Sequence, residues 1–220
     1  VNYLSELREK FVHFYHHTWQ AGTHLTHQES LAHHRHSPVN KHRLLGTVYP
    51  DSINKIDGYF RQAHHAFSDW QHQTISYRAQ YLQLLVQQLL KHQAELLYLL
   101  NLEAAKTLED ALGEWREAID LCQYYAQQAQ LLQSTQSLPH ITGEENLLTL
   151  VPRGVFLCIS PWNFPLAIFI GQIAAAVVTG NTVIAKPAND TPLIAQRVLD
   201  LWLEAGLPKN IVQLVFANSH

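Results

Sequence analysis

From residue 52 to about residue 132, apolar side chains recur at spacings of three and four, the period of a helix with one buried face. Ile56, Tyr59, Phe60, Ala63 and Phe67 predict a first helix. Tyr81, Leu82, Leu85, Leu89, Leu96, Leu99 and Leu100 make the broad stripe of a second, interleaved with glutamines and charges that suit a solvent face. A third pattern runs through Trp115, Ile119, Cys122 and Ala126, with Gly113 allowing close approach of another element. A polar connection over 133–146, containing Pro139 and Gly143, then marks the main boundary.

Past that boundary the pattern changes. Residues 154–159 are a nearly continuous apolar run, which predicts a parallel strand covered on both faces. Pro165 fits the first turn of a helix that is apolar almost all round to Val178 and stops at Gly180-Asn181. A second strand over 182–185 leads to Lys186-Pro187-Ala188-Asn189, and another helix starts with Thr191 as cap and Pro192 in its first position. Ile194, Val198, Leu201, Trp202 and Ala205 form its apolar face, Gly206 and Pro208 close it, and a third strand covers 211–216. The expectation is an α/β fold in which a helical amino-terminal part precedes a βαβαβ unit. Right-handed crossovers would place the strand ends at Ser160, Lys186 and Phe216 on one sheet edge, where ligands bind.

Ahead of the helical part, residues 4–19 predict a helix, followed by a polar, histidine-rich segment without clear period. Residues 1–37 are expected to be an arm or linker. His33, His34 and His36 sit in adjacent and alternate positions with no accompanying carboxylate or cysteine spacing, so they are expected to face water, with no metal site. Residues 43–49, ending at Pro50, predict a strand or hairpin. The expected divisions are therefore 1–37, a mainly helical body with a β-hairpin over 38–146, and a partial dinucleotide-binding βαβαβ unit over 147–220.

Composition narrows the function. A hydrophobic content of 47%, a charged content of 15% and a net charge of −3 describe a globular chain with no grip on a polyanion, so no nucleic acid is expected as partner. Cys122 and Cys158 show no staple or zinc-knuckle spacing, and a reducing cytoplasm is the expected compartment. The apolar helix after Pro165 is too short for a membrane span, which needs roughly twenty residues. The chain holds no methionine and stops directly after a strand-like run, so it reads as an excerpt of a longer polypeptide.

The strand-end residues suit a dinucleotide: Trp162 offers an apolar surface, Lys186 a cation and donor, Asn163 an amide donor. The usual Gly-x-Gly-x-x-Gly turn is absent. Pyrophosphate would then be held by backbone amides at another helix start, or by groups beyond His220. Glu103-Ala104-Ala105-Lys106-Thr107 lacks the glycines of a phosphate-binding loop and lies in a helical setting, which excludes that role. On local sequence alone, Asn163 serves equally well as the cap of the helix starting near Pro165.

Ile159-Ser160-Pro161-Trp162-Asn163-Phe164-Pro165-Leu166, followed by Gly180-Asn181 and Lys186-Pro187-Ala188, resembles the aldehyde dehydrogenase superfamily. The run from Pro161 to Gln172 with Ala174-Ala175-Ala176 looks most like the pyrroline-5-carboxylate dehydrogenase module of bifunctional proline utilization A flavoproteins. Glu103 to Thr107, and Glu114 to Asp120, resemble segments of that family too, so the likeness begins near Pro38. It implies oxidation of L-glutamate γ-semialdehyde to glutamate with NAD, NADP being possible, through a cysteine thiohemiacetal, hydride transfer and thioester hydrolysis. It also implies a small aldehyde as substrate, a homo-oligomer when complete, and FAD only if a proline dehydrogenase domain precedes the chain.

Residue by residue, Asn163 matches the family's oxyanion-stabilising asparagine and Lys186 the lysine that binds adenosine ribose hydroxyls. Ile159, Ser160, Pro161 and Trp162 match the segment lining the cofactor cleft, and Ala188 and Asn189 follow as further cofactor-binding positions. Asn189 stands where many NAD-preferring relatives carry a glutamate, which implies weaker discrimination against NADP unless Asp190 substitutes. The family's nucleophilic cysteine and general-base glutamate normally lie beyond this chain's end. Cys158, expected in a buried strand, cannot replace that thiol, nor can Cys122, which lacks an activating partner. The 220 residues alone are expected to be inactive. Another semialdehyde dehydrogenase, or a truncated non-catalytic nucleotide-binding or interaction module, are the competing readings.

Overall fold

The computed structural model describes residues 3–22, 32–132 and 136–217, with Leu4 as backbone only. Within the segment expected as an arm, the described residues 3–22 and 32–37 carry elements of the fold, and the rest of it lies outside the described residues. Helix α1 (Tyr3–Phe11) seats Leu7 in the core and gives way to a 3-10 turn over Val12–Phe14, well short of the expected end at Trp19. Trp19 belongs to strand β1 (Trp19–Ala21), whose inward Trp19 and Ala21 alternate with an outward Gln20. The histidine-rich run is also a strand, β2 (His33–His36), antiparallel to β3 (Leu44–Val48). Since β3 also pairs in parallel with β1, the expected hairpin is part of a three-stranded sheet, order β1-β3-β2. Period 2 was hidden in β2 because His33, His34 and His36 are all exposed, leaving no apolar alternation to read.

The helical body consists of α2 (Ile56–Trp70), α3 (Ile75–Lys91), α4 (Gln93–Glu103) and α5 (Leu108–Leu131). Thr74 and Thr107 cap α3 and α5 by accepting from the amides of Tyr77 and Asp110. The single helix expected through residues 81–100 breaks at His92 into α3 and α4. After the break Leu96, Leu97, Leu99 and Leu100 are all enclosed, so α4 is a core helix rather than an amphipathic one. Strand β4 (Gln136–Ser137) in the polar connection pairs antiparallel with β5 (Leu147–Leu148) just beyond it.

The carboxyl-terminal part is β6 (Val155–Ile159), α6 (Ala167–Val178), β7 (Thr182–Lys186), α7 (Pro192–Glu204) and β8 (Val212–Leu214). Its strands form a parallel sheet of order β6-β7-β8. Helix α2 covers one face, where Ala63 packs on Ile184 and Val215, and α6 lies against β6 and β7. Strand β6 departs from its expected burial: Cys158 is covered, but Phe156, Leu157 and Ile159 are 41%, 58% and 59% exposed. It is an edge strand among the described residues, and α2 reaches mainly β7, so the apolar run is not enclosed on both faces. Among the described residues no helix is long and apolar enough to cross a membrane.

Candidate functional site

Parallel pairing fixes where the strands end. Ile159 lies opposite Lys186, Cys158 opposite Ala185, and Ala185 opposite Leu214, while the Ser160 amide donates to the Lys186 carbonyl at 3.2 Å. The turns after β6 and β7 therefore leave the sheet at one edge, as three parallel strands require. The first carries Ser160, Pro161, Trp162 and Asn163; the second carries Pro187, Ala188, Asn189, Asp190 and Thr191.

Asn163 is exposed, and its side chain makes no hydrogen bond among the described residues. Capping does not account for it. Helix α6 begins beyond Pro165 with Leu166 in the cap position, and its first amides are taken by Glu114 Oε1, which accepts from Leu166 at 2.7 Å and Ala167 at 3.1 Å. Trp162 is 57% exposed, so ordinary core packing does not explain that residue either. Lys186 is half-buried with Nζ 3.5 Å from the Pro187 carbonyl, Ala188 is half-buried, and Asn189 is exposed. The buried hydroxyls of Ser160 and Thr191 have no hydrogen-bond partner among the described residues. Buried polar atoms are nearly always paired, so two orphaned hydroxyls at the same strand ends fit an edge that meets a polar ligand.

These residues share an edge without sharing an enclosed pocket. Trp162 lines a cavity of about 270 Å³ with Pro38, Glu103, Asp190 and Thr191. Asn189 lines another, about 180 Å³, with His33, His34 and Phe216. Arg35 lines both, and its Nη1 lies 3.3 Å from Asp190 Oδ1. Neither cavity includes Asn163 or Lys186.

Two residues that sequence reasoning passed over organise both turns. Glu103 ends α4 almost fully buried, and its Oε1 and Oε2 accept from the amides of Leu193 and Ile194, each at 2.9 Å. Thr191 occupies the cap position of α7, but its side chain makes no cap bond; Glu103 does that work from 90 residues away in sequence. Burial pushes the Glu103 carboxyl up to about 7, against the two amides and the Arg35 charge that favour its ionised form. Glu114 plays the same part on α6, with Lys106 Nζ 2.9 Å from its other oxygen. The available sequence signal was the pair of acids bracketing the α4–α5 elbow, at positions a helical pattern turns inward.

Neither cysteine resembles a nucleophile. Both are buried, and burial pushes the thiols up to about 12 for Cys122 and about 11 for Cys158. At neutral pH such thiols stay protonated, and the thiolate is the reactive form.

The profile of the Aldehyde dehydrogenase family matches residues 25–220. "1-Pyrroline-5-carboxylate dehydrogenase 2" of Halalkalibacterium halodurans is 37% identical over 179 residues, covering 81% of this chain and 35% of that protein. The 1-pyrroline-5-carboxylate dehydrogenase 2 of Bacillus subtilis is 35% identical with the same coverage. Among solved structures, proline utilization A from Bdellovibrio bacteriovorus superposes with a TM-score of 0.88 at 27% identity, over 98% of this chain and 22% of that one. A mutant of Bradyrhizobium japonicum proline utilization A gives 0.74 at 44% identity, over 77% of this chain and 18% of that one. The chain thus spans about a third of the length of the curated relatives it matches.

Proposed function

This chain belongs to the aldehyde dehydrogenase family, and from that premise we propose that it supplies the oxyanion donor and part of the cofactor edge of an NAD(P)-dependent dehydrogenase. The substrate in this reading is L-glutamate γ-semialdehyde, the product glutamate, and the setting proline catabolism. Support for the substrate comes from the relatives, which are named as 1-pyrroline-5-carboxylate dehydrogenases. Support for the chemistry comes from Asn163, an exposed amide uncommitted to the protein on a turn whose helix is capped by a different residue.

The nucleophile is a cysteine outside these 220 residues, since both thiols here are buried and held in the protonated form. When that thiolate attacks the aldehyde carbon, a carbon–sulfur bond forms and the carbonyl π electrons move to oxygen. Asn163 Nδ2 donates to this oxygen and stabilises its charge. A nicotinamide cofactor held at this edge would supply the hydride acceptor for the same carbon, and water would hydrolyse the resulting thioester to the carboxylate. Lys186 donates to the ribose hydroxyls, while Ile159, Ser160, Pro161 and Trp162 form the wall of the cleft, with Ser160 Oγ offering an unspent buried hydroxyl. Ala188 and Asn189 would complete the residues that hold the cofactor. No metal takes part, and the whole protein assembles as a homo-oligomer; a flavin belongs to it only where a proline dehydrogenase domain is joined.

Removing one oxyanion donor costs about 100- to 1,000-fold in kcat. Asn163→Ala in the whole protein should lose about that much while cofactor affinity, read by titration, stays within about twofold. An alanine variant that keeps its kcat would refute this role.

A further inference from the structure

The elbow between α4 and α5 carries Lys106 and Glu114, which the reaction above does not use. Glu114 is 2% exposed; one of its oxygens holds the amides of Leu166 and Ala167, and the other lies 2.9 Å from Lys106 Nζ. The same ammonium sits 4.2 Å from the ring centre of Phe164, close enough for a cation–π contact. Lys106 is itself held in place, since its carbonyl accepts from Asn101 Nδ2 at 2.8 Å and the next residue, Thr107, caps α5. The turn is thereby fixed on both sides of Asn163. Ser160 is tied to β7 through the Lys186 carbonyl, and Phe164, Leu166 and Ala167 are tied to one buried ion pair.

The geometry points to the Lys106–Glu114 pair as a positioning device for Asn163, an inference that rests on the oxyanion role proposed above. An exposed asparagine on an irregular turn has rotational and backbone freedom that an oxyanion donor cannot retain, because such a donor acts only when already aimed at the developing charge. Helix α6 alone does not remove that freedom, for it starts four residues later. The ion pair limits the backbone part of it, because it grips the residue directly after Asn163 through its ring and the first amides of α6 through its carboxylate. The two positioning residues touch neither substrate nor cofactor.

The test is a double-mutant cycle in the whole protein. Lys106→Met with Glu114→Gln removes both charges together, so no buried charge is left unpaired, and the glutamine carbonyl can still accept from the α6 amides. A displacement of about 1 Å far from the chemistry costs up to about 100-fold, so a partial loosening should lower kcat about tenfold. The KM of the nicotinamide cofactor should stay within about twofold. In an Asn163→Ala background the same pair of substitutions should lower kcat no further, because their effect passes through the missing amide. Phe164→Leu, at a position 37% exposed and therefore tolerant of change, provides a second variant should the double one not fold. It is expected to lose about threefold in kcat with the same non-additivity. Equal losses with and without Asn163 would show a merely structural pair and overturn the inference. An Asn163→Ala variant with undiminished kcat would instead overturn the oxyanion role, and the positioning inference with it.

Discussion

Replacing Glu103 by glutamine separates the charge of this residue from its capping role. Its carboxyl is buried, each oxygen accepts one α7 amide at 2.9 Å, and burial lifts it from the ordinary 4.5 to about 7. A carboxyl raised on folding means that the native state binds the proton more tightly than the unfolded chain. The stability it contributes is fully present below pH 4.5 and is lost as pH rises through 7. At about 1.4 kcal/mol per pH unit, the interval corresponds to about 3 kcal/mol. Glutamine has no such titration, but its amide nitrogen cannot accept, so one of the two α7 amides loses its partner at a pH-independent cost of about 1 kcal/mol. Urea unfolding of both proteins at several pH values from 4 to 8 should therefore show their stability difference moving by about 3 kcal/mol in favour of glutamine as pH rises. A difference that stays constant, or moves the other way, would show that the α7 amides hold Glu103 ionised throughout and would refute the reasoning.

Other consequences are open to direct measurement. The isolated 220 residues should give no aldehyde-dependent reduction of NAD or NADP, since both thiols are buried; turnover by the purified chain would contradict this. In the whole protein, an amide at position 189 should leave NADP binding less strongly disfavoured than a carboxylate there would, and Asn189→Glu should shift preference toward NAD; a wild-type protein already as selective as the glutamate variant would disprove it. Arg78, 4% exposed, donates to the carbonyls of Val178 at 2.8 Å, Trp70 at 3.4 Å and Gln73, joining the carboxyl ends of α2 and α6. Arg78→Met leaves these carbonyls without their donor and should cost about 3 kcal/mol, and an unchanged thermal midpoint would rule out that bracing role.

What the sequence made legible was local. Strand, helix and stop signals from 154 to 216 placed β6, α6, β7, α7 and β8 within a few residues, because Pro192, Gly180 and Gly206 punctuate a steady alternation of apolar periods. Sequence pattern misjudged two kinds of feature. Exposure of Phe156, Leu157 and Ile159 could not be read from an apolar run, which says only that the residues suit a covered strand and nothing about what covers them. The caps of α6 and α7 were sought in adjacent residues, Asn163 and Thr191, since capping is usually local. The actual acceptors, Glu114 and Glu103, lie 52 and 90 positions away in sequence. A buried glutamate leaves no periodic trace of what it will meet, so tertiary caps stay invisible until the fold is known.

Those two carboxylates also bear on how a dinucleotide is held. The free amides at a helix start, together with the positive end of its dipole, make the usual seat for a pyrophosphate. Here the first amides of α6 already donate to Glu114 and those of α7 to Glu103. A diphosphate entering either place would have to displace a buried acceptor that already holds those amides. These four amides are therefore committed inside the protein and are not free to hold an anion. What this edge still offers is the exposed face of Trp162, the Ser160 and Thr191 hydroxyls, the Asn163 amide and the Lys186 ammonium. The helical body, by filling both helix starts with glutamates, leaves this sheet edge with side-chain donors and an aromatic face in place of free helix amides.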